Sequence, residues 1–147
     1  VAAFVPLTAL FYEGTEIALA AGVMPKLVGL LRSATETAHK KDGCMALRNL
    51  ANNDDGKDKA INTGAVDVII ALLPDPDTEV RQVAAGALLT LSVALEAKQL
   101  FMDGGQKAVD DLAALLRDES APVRHNATVA IRTLSELPVA KAAFCRA

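Results

Sequence analysis

Tryptophan is absent from this chain, and aromatic residues make up 3% of a composition that is 52% apolar. The apolar fraction is filled largely by small residues, chiefly Ala, and Ala- and Leu-rich sequence favours closely packed helices over strands. Cysteine is nearly absent as well. Cys44 and Cys145 lie about 100 residues apart, too few and too far apart for a paired zinc spacing or a dense disulfide framework. They read as two reduced thiols, with Cys44 in a slot where Ala85 and Thr128 stand in related segments.

An excess of positive charge is missing too. A net charge of −3 gives no electrostatic case for nucleic acid as a primary partner. Long apolar runs are lacking: the longest, VAAFVPLTALFY, has no basic leader and is too short to cross a bilayer, so no membrane role is expected. No glycine-rich loop opens a helix after a strand, so there is no phosphate cradle and no cofactor is expected. NNDDGKDKAIN resembles a calcium loop only faintly. Aligning Gly56 with the loop glycine puts Ala51 and Asn62 at the outer ligand positions, where they cannot serve. His39 and His125 have no carboxylate or thiol four residues on, and Asp110–Asp111 diverge by about 100° on a helix. No metal or catalytic constellation emerges, and the chain is expected not to be an enzyme.

What is present is a repeat. A thirteen-residue pattern reads HKKDGCMALRNLA from His39, VRQVAAGALLTLS from Val80 and VRHNATVAIRTLS from Val123, the starts being 41 and 43 residues apart. A period near 42 marks stacked helical units, each too small to bury its own apolar face. Glycine recurs at Gly22, Gly64 and Gly104–Gly105, and a Leu-Leu pair follows at Leu30, Leu72 and Leu115. Each unit reads as two short helices and a long third one. In the second unit the first helix runs roughly from Asp55 to Thr63, capped by Asp54 or Asp55 and ended by Gly64. The second runs to about Leu73, where Pro74 and Pro76 stop it. The third starts at an Asp77 or Thr78 cap and runs to about Ala94. The expected division is 1–12 as the end of an upstream unit, where Leu7 and Leu10 keep the apolar spacing of Leu47 and Leu50, then units at 13–53, 54–94 and 95–137, and 138–147 as the start of another. The chain thus reads as part of a longer array.

Val80, Ala84, Ala87, Leu88, Leu91 and Leu95 form one face at a 3.6-residue period, repeated by Val123, Ala127, Ala130, Ile131 and Leu134. The opposite stripe takes positions three, seven and eleven of the pattern. Its rows are Lys41, Gln82 and His125; Met45, Gly86 and Val129; and Asn49, Thr90 and Thr133. Arg48, Leu89 and Arg132 lie beside the last row, and Asn52, Val93 and Glu136 close it.

The segments AGVMPKLVGLLRS, TGAVDVIIALLPDPDTEVRQVAAGALLTLS and DLAALLRDESAPVRHNATVAIRTLS closely resemble armadillo repeats, and the match covers nearly the whole chain. HEAT repeats are the structural alternative, but they have two helices per unit and generally lack the glycine turn. The resemblance implies an all-α, right-handed α-solenoid whose third helices line a concave groove for a peptide or partner helix. In importin-α-like members the second row is Trp and the third Asn. Here only Asn49 matches that Asn, and Met45, Gly86 and Val129 cannot build aromatic slots. With Lys41, Arg48 and Arg132 set against Glu136, the stripe would repel a cationic signal and suit an acidic or mixed segment, in the manner of catenin-like members. The resulting expectation is a non-catalytic protein-interaction scaffold. The alternative is a structural spacer held through its ends or convex side in a large assembly, where Phe4, Leu7 or Phe144 would drive association. An intracellular setting is expected: cytoplasm, nucleus or cilium.

Overall fold

The computed structural model describes the backbone of residues 7–147 and the side chains from residue 14 onward. The side chains of Leu7 and Leu10, on which the upstream unit was to rest, and Phe4, expected to drive association, lie outside the described residues. Among those described, the chain is helical throughout, with no strand. The helices are α1 (Leu7–Ala20), α2 (Val23–Ser33), α3 (Thr37–Leu50), α4 (Asp54–Asn62), α5 (Ala65–Leu72), α6 (Thr78–Leu91), α7 (Leu95–Asp103), α8 (Gly105–Ala114), α9 (Ala121–Leu134) and α10 (Pro138–Phe144). A 3₁₀ turn over Leu115–Arg117 extends α8.

Unit two shows how sequence writes these boundaries. Asn53, not Asp54 or Asp55, caps α4: its side chain accepts the Gly56 N–H at 2.7 Å, while the two aspartates occupy the first turn and favour its positive end. Gly64 takes the left-handed conformation (φ 82°) that lets α5 leave at an angle. Pro74 follows the end of α5, and Asp77 caps α6 by accepting the N–H groups of Glu79 and Val80. In unit three the left-handed residue is Gly105, not Gly104, which stays helical.

The long helices α3, α6 and α9 stand side by side, with α6 packed between the other two. Cys44, Leu47, Val80, Ala84, Leu88, Leu91, Val123, Ala127 and Leu134 are fully buried, so the small residues let the helices approach and the large ones fill the space between units. Burial alone pushes the Cys44 thiol up to about 12, leaving it protonated and unreactive. Two expectations change. The long helix ends at Leu91 rather than near Ala94, because Ser92 and Val93 turn the chain into α7; Leu95 opens that next helix and is 52% exposed. Ile131 is only half-buried where Leu88 is fully buried, since no described long helix lies on the far side of α9.

Ion pairs tie successive units together. Lys40 Nζ donates to Asp75 Oδ2 at 2.7 Å, and Arg81 Nε donates to Asp118 Oδ2 at 2.6 Å. These pairs join the start of one long helix to the turn that precedes the next.

Candidate partner-binding groove

The three long helices pack side by side and bring equivalent positions of the stripe into neighbouring rows. In the first row Lys41 is tied to Glu79 across the α3–α6 seam, and that hydrogen bond, followed by the glutamate's charge, raises its pKa. The Gln82 carbonyl accepts the Asn126 side-chain amide at 3.1 Å, while His125 is exposed and has no polar partner among the described residues. In the second row Met45 is 41% exposed and Val129 half-buried. Gly86 is buried, contrary to its placement on an open stripe: Arg48 from α3 and Asn126 from α9 cover it from either side.

In the third row Asn49 is exposed, and its amide has no partner among the described residues. The two threonines differ from that asparagine. Thr90 Oγ1 donates to the Gly86 carbonyl at 3.1 Å and Thr133 Oγ1 to the Val129 carbonyl at 2.9 Å. Each has therefore spent its one donor on its own helix and can only accept from a ligand. Beside them Leu89 is half-buried. Arg48 and Arg132 have neither a carboxylate nor a hydrogen-bond partner among the described residues. At the end of the stripe Asn52 is open, Val93 is 65% exposed, and Glu136 is paired with the buried Lys98 of α7.

These partnerships sort the charges. Lys41 and Glu136 are neutralised internally, so Arg48 and Arg132 carry the stripe's free charge. The long helices hold six cations (Lys40, Lys41, Arg48, Arg81, Arg124 and Arg132) against two anions, Asp42 and Glu79, in a chain whose net charge is −3. The positive charge is thus concentrated on the helices that form the stripe, and the rest of the molecule is acidic. Among the described residues no group of three or more His, Cys, Asp and Glu side chains could hold a metal ion, and no single helix is long and apolar enough to cross a membrane.

Sequence reasoning missed Asn126 and Lys98. A usable signal existed for Lys98: it precedes its opposite charge by 38 residues, as Lys41 precedes Glu79, a little less than one repeat. Asn126 has no such signal, because its partner is a backbone carbonyl.

The armadillo/beta-catenin-like repeat family matches residues 53–93, the second unit. No curated protein matches the chain in sequence. Among solved structures, an engineered protein from a structural genomics consortium is 28% identical, with a TM-score of 0.83 over 91% of this chain and 54% of its own. A designed armadillo repeat protein in complex with a (KR)4 peptide is 26% identical, with a TM-score of 0.81 over 91% of this chain and 56% of its own. A computationally designed armadillo repeat protein for modular peptide recognition is 30% identical, with a TM-score of 0.74 over 82% of this chain and 50% of its own. The chain spans about half the length of these structures. With its glycine turns and stacked long helices the chain has the fold of armadillo repeat proteins, and its residues 53–93 match the armadillo repeat family itself.

Proposed function

We propose that this array is a non-catalytic binding scaffold that holds an extended, acidic or mixed-charge segment of a partner protein along the stripe of α3, α6 and α9. The observation that carries the reading is the pair of guanidinium groups, Arg48 and Arg132, that have no partner among the described residues, on a face whose other charges are already paired. The Asn49 amide is available to a ligand backbone, and the exposed surface of Met45 and Val93 to apolar side chains. Peptide recognition by similar designed proteins supports the general mode. The charge preference here runs the other way from a (KR)4 ligand, because free arginines repel lysine and arginine. The two unbridged cysteines suit a reducing setting, and we place the array in the cytoplasm, nucleus or cilium. The test is a labelled Glu-rich peptide titrated against the wild type and an Arg48→Glu, Arg132→Glu variant of unchanged circular dichroism. Each lost charge-assisted contact is expected to weaken binding by about tenfold or more. Equal affinities would contradict the reading.

A second reading, a spacer held through its ends, is favoured by the face beyond α9. Leu116, Ile131 and Phe144 line an open cleft of about 400 Å³ there. Arg124 Nη1 donates to the Asp118 and Glu119 carbonyls, as Arg81 Nη1 does to those of Asp75 and Pro76. Arg81 also holds Asp118 of the next unit, whereas Arg124 has no carboxylate among the described residues. Concentration-dependent association of the isolated protein, abolished by Phe144→Glu, would support the spacer; a monomer at all concentrations would count against it.

A further inference from the structure

The half-buried state of Arg48 connects one odd residue to one chemical preference. Glycine in the middle of a long helix costs about 0.5–1 kcal/mol relative to alanine, so a reason for Gly86 is needed. Its φ is not positive, and no turn requires it. The reason lies in its neighbours. A Cβ at residue 86 would sit 3.2 Å from Arg48 Nη1, 3.3 Å from Asn126 Nδ2 and 3.8 Å from Arg48 Cδ. The bare Cα is the floor on which the Arg48 side chain lies as it crosses from α3 onto α6. Asn126 closes the other side, pinned to the Gln82 carbonyl at 3.1 Å. A guanidinium in this position is partly desolvated, pre-positioned and without an anion among the described residues, and its planar donors match a carboxylate.

We infer that Arg48 seated on Gly86 is a carboxylate subsite, and that Arg132 supplies a second one two units along, so that the groove selects partner segments by the spacing of two acidic residues. This rests on the groove reading above and makes it specific. Arg48, Leu89 and Arg132 occupy one row on adjacent long helices, with neutral Leu89 in the middle. Packed helices lie about 8–10 Å apart, so two steps span about 16–20 Å. An extended chain advances about 3.3–3.6 Å per residue, which makes that distance about four and a half to six residues. Alternate side chains of an extended segment point to opposite sides, so only an even separation puts both acids on the groove side. The expected ligand has Asp or Glu at positions i and i+6. Lys41 adds no further subsite, because Glu79 already holds it.

The test uses blocked synthetic peptides of one composition, with two Glu placed either six apart or adjacent, titrated by anisotropy at fixed salt. The six-apart peptide is expected to bind about tenfold or more tightly, the value of one additional charge-assisted contact. Gly86→Ala is expected to erase that preference while leaving the melting temperature equal or higher, because the methyl presses on the side-chain nitrogens of Arg48 and Asn126 rather than on any backbone atom. Equal affinities for the two peptides, no binding of either, or a preference that survives Gly86→Ala would each overturn the inference. Equal affinities combined with amide shifts along α3, α6 and α9 would leave the groove reading intact. Shifts confined to other helices would remove both.

Discussion

Two glycines separate structural from functional demands at the level of single residues. Gly56 is buried at the start of α4, where a Cβ would fall 1.7 Å from the Leu50 carbonyl oxygen, a backbone atom that cannot yield. Gly86 meets only side-chain atoms, those of Arg48 and Asn126. Gly56→Ala is therefore expected to destabilise the protein by about 2 kcal/mol or more, and Gly86→Ala to be neutral or stabilising; chemical denaturation of the two variants checks the contrast. The aspartates and glycine of NNDDG thus mark a tight junction between units, with Asn53 as its cap. Leu88 makes the matching point for the core. It is fully buried where Ile131 is not, so Leu88→Ala is expected to cost about 2–5 kcal/mol and Ile131→Ala clearly less.

For whole helices, the order of α4 to α9 was legible in the sequence, and the reasons are local. Gly64, Pro74 and Asp77 act within a few residues of themselves, so their effect can be read without knowing the neighbours. The end of α6 could not be read this way. Leu95 keeps the apolar spacing of the helix before it, yet Ser92 and Val93 break that helix and Leu95 begins the next. The stripe divides along the same line. Its position follows from periodicity, and the exposed Met45, Asn49 and Val93 fall where the pattern puts them. The burial of Gly86 and the neutralisation of Lys41 depend on side chains from adjacent units, and periodicity within one helix cannot report those.

The seams between helices carry their own prediction. The hydrogen bond from Arg81, with further help from the Ser120 amide and the surrounding arginines, holds Asp118 below the usual aspartate range despite its burial. At Asp75 burial pulls upward, but the hydrogen bonds from Lys40 and the Asp77 amide and the nearby positive charges outweigh it. A carboxyl lowered in the folded state adds stability that is fully present above its unfolded pKa of about 3.9 and is lost as pH falls through the lower folded value. Stability is expected to drop between about pH 5 and pH 2, and Asp118→Asn to lower stability at neutral pH while flattening that acid limb. Urea titrations of both proteins across this range decide it.

At the scale of the molecule, stacked units depend on their neighbours for stability. Only α6 has a long helix on both sides among the described residues, so its amides are expected to exchange most slowly, and those of α1 and α10, the outermost described helices, fastest. Native-state hydrogen exchange read by mass spectrometry would show this order; uniform protection would mean that the three units behave as one indivisible block. The charge distribution acts at the same scale. The long helices are positive and the remainder is acidic, so binding of an acidic segment is expected to weaken as salt rises. The decisive property is where such a segment lies on the protein. Amide chemical-shift mapping of the labelled protein with a Glu-rich peptide should move resonances around Arg48, Asn49, Leu89, Thr90 and Arg132, and should leave α5 and α8 unchanged. Shifts on α5 and α8 with none on the long helices would contradict it.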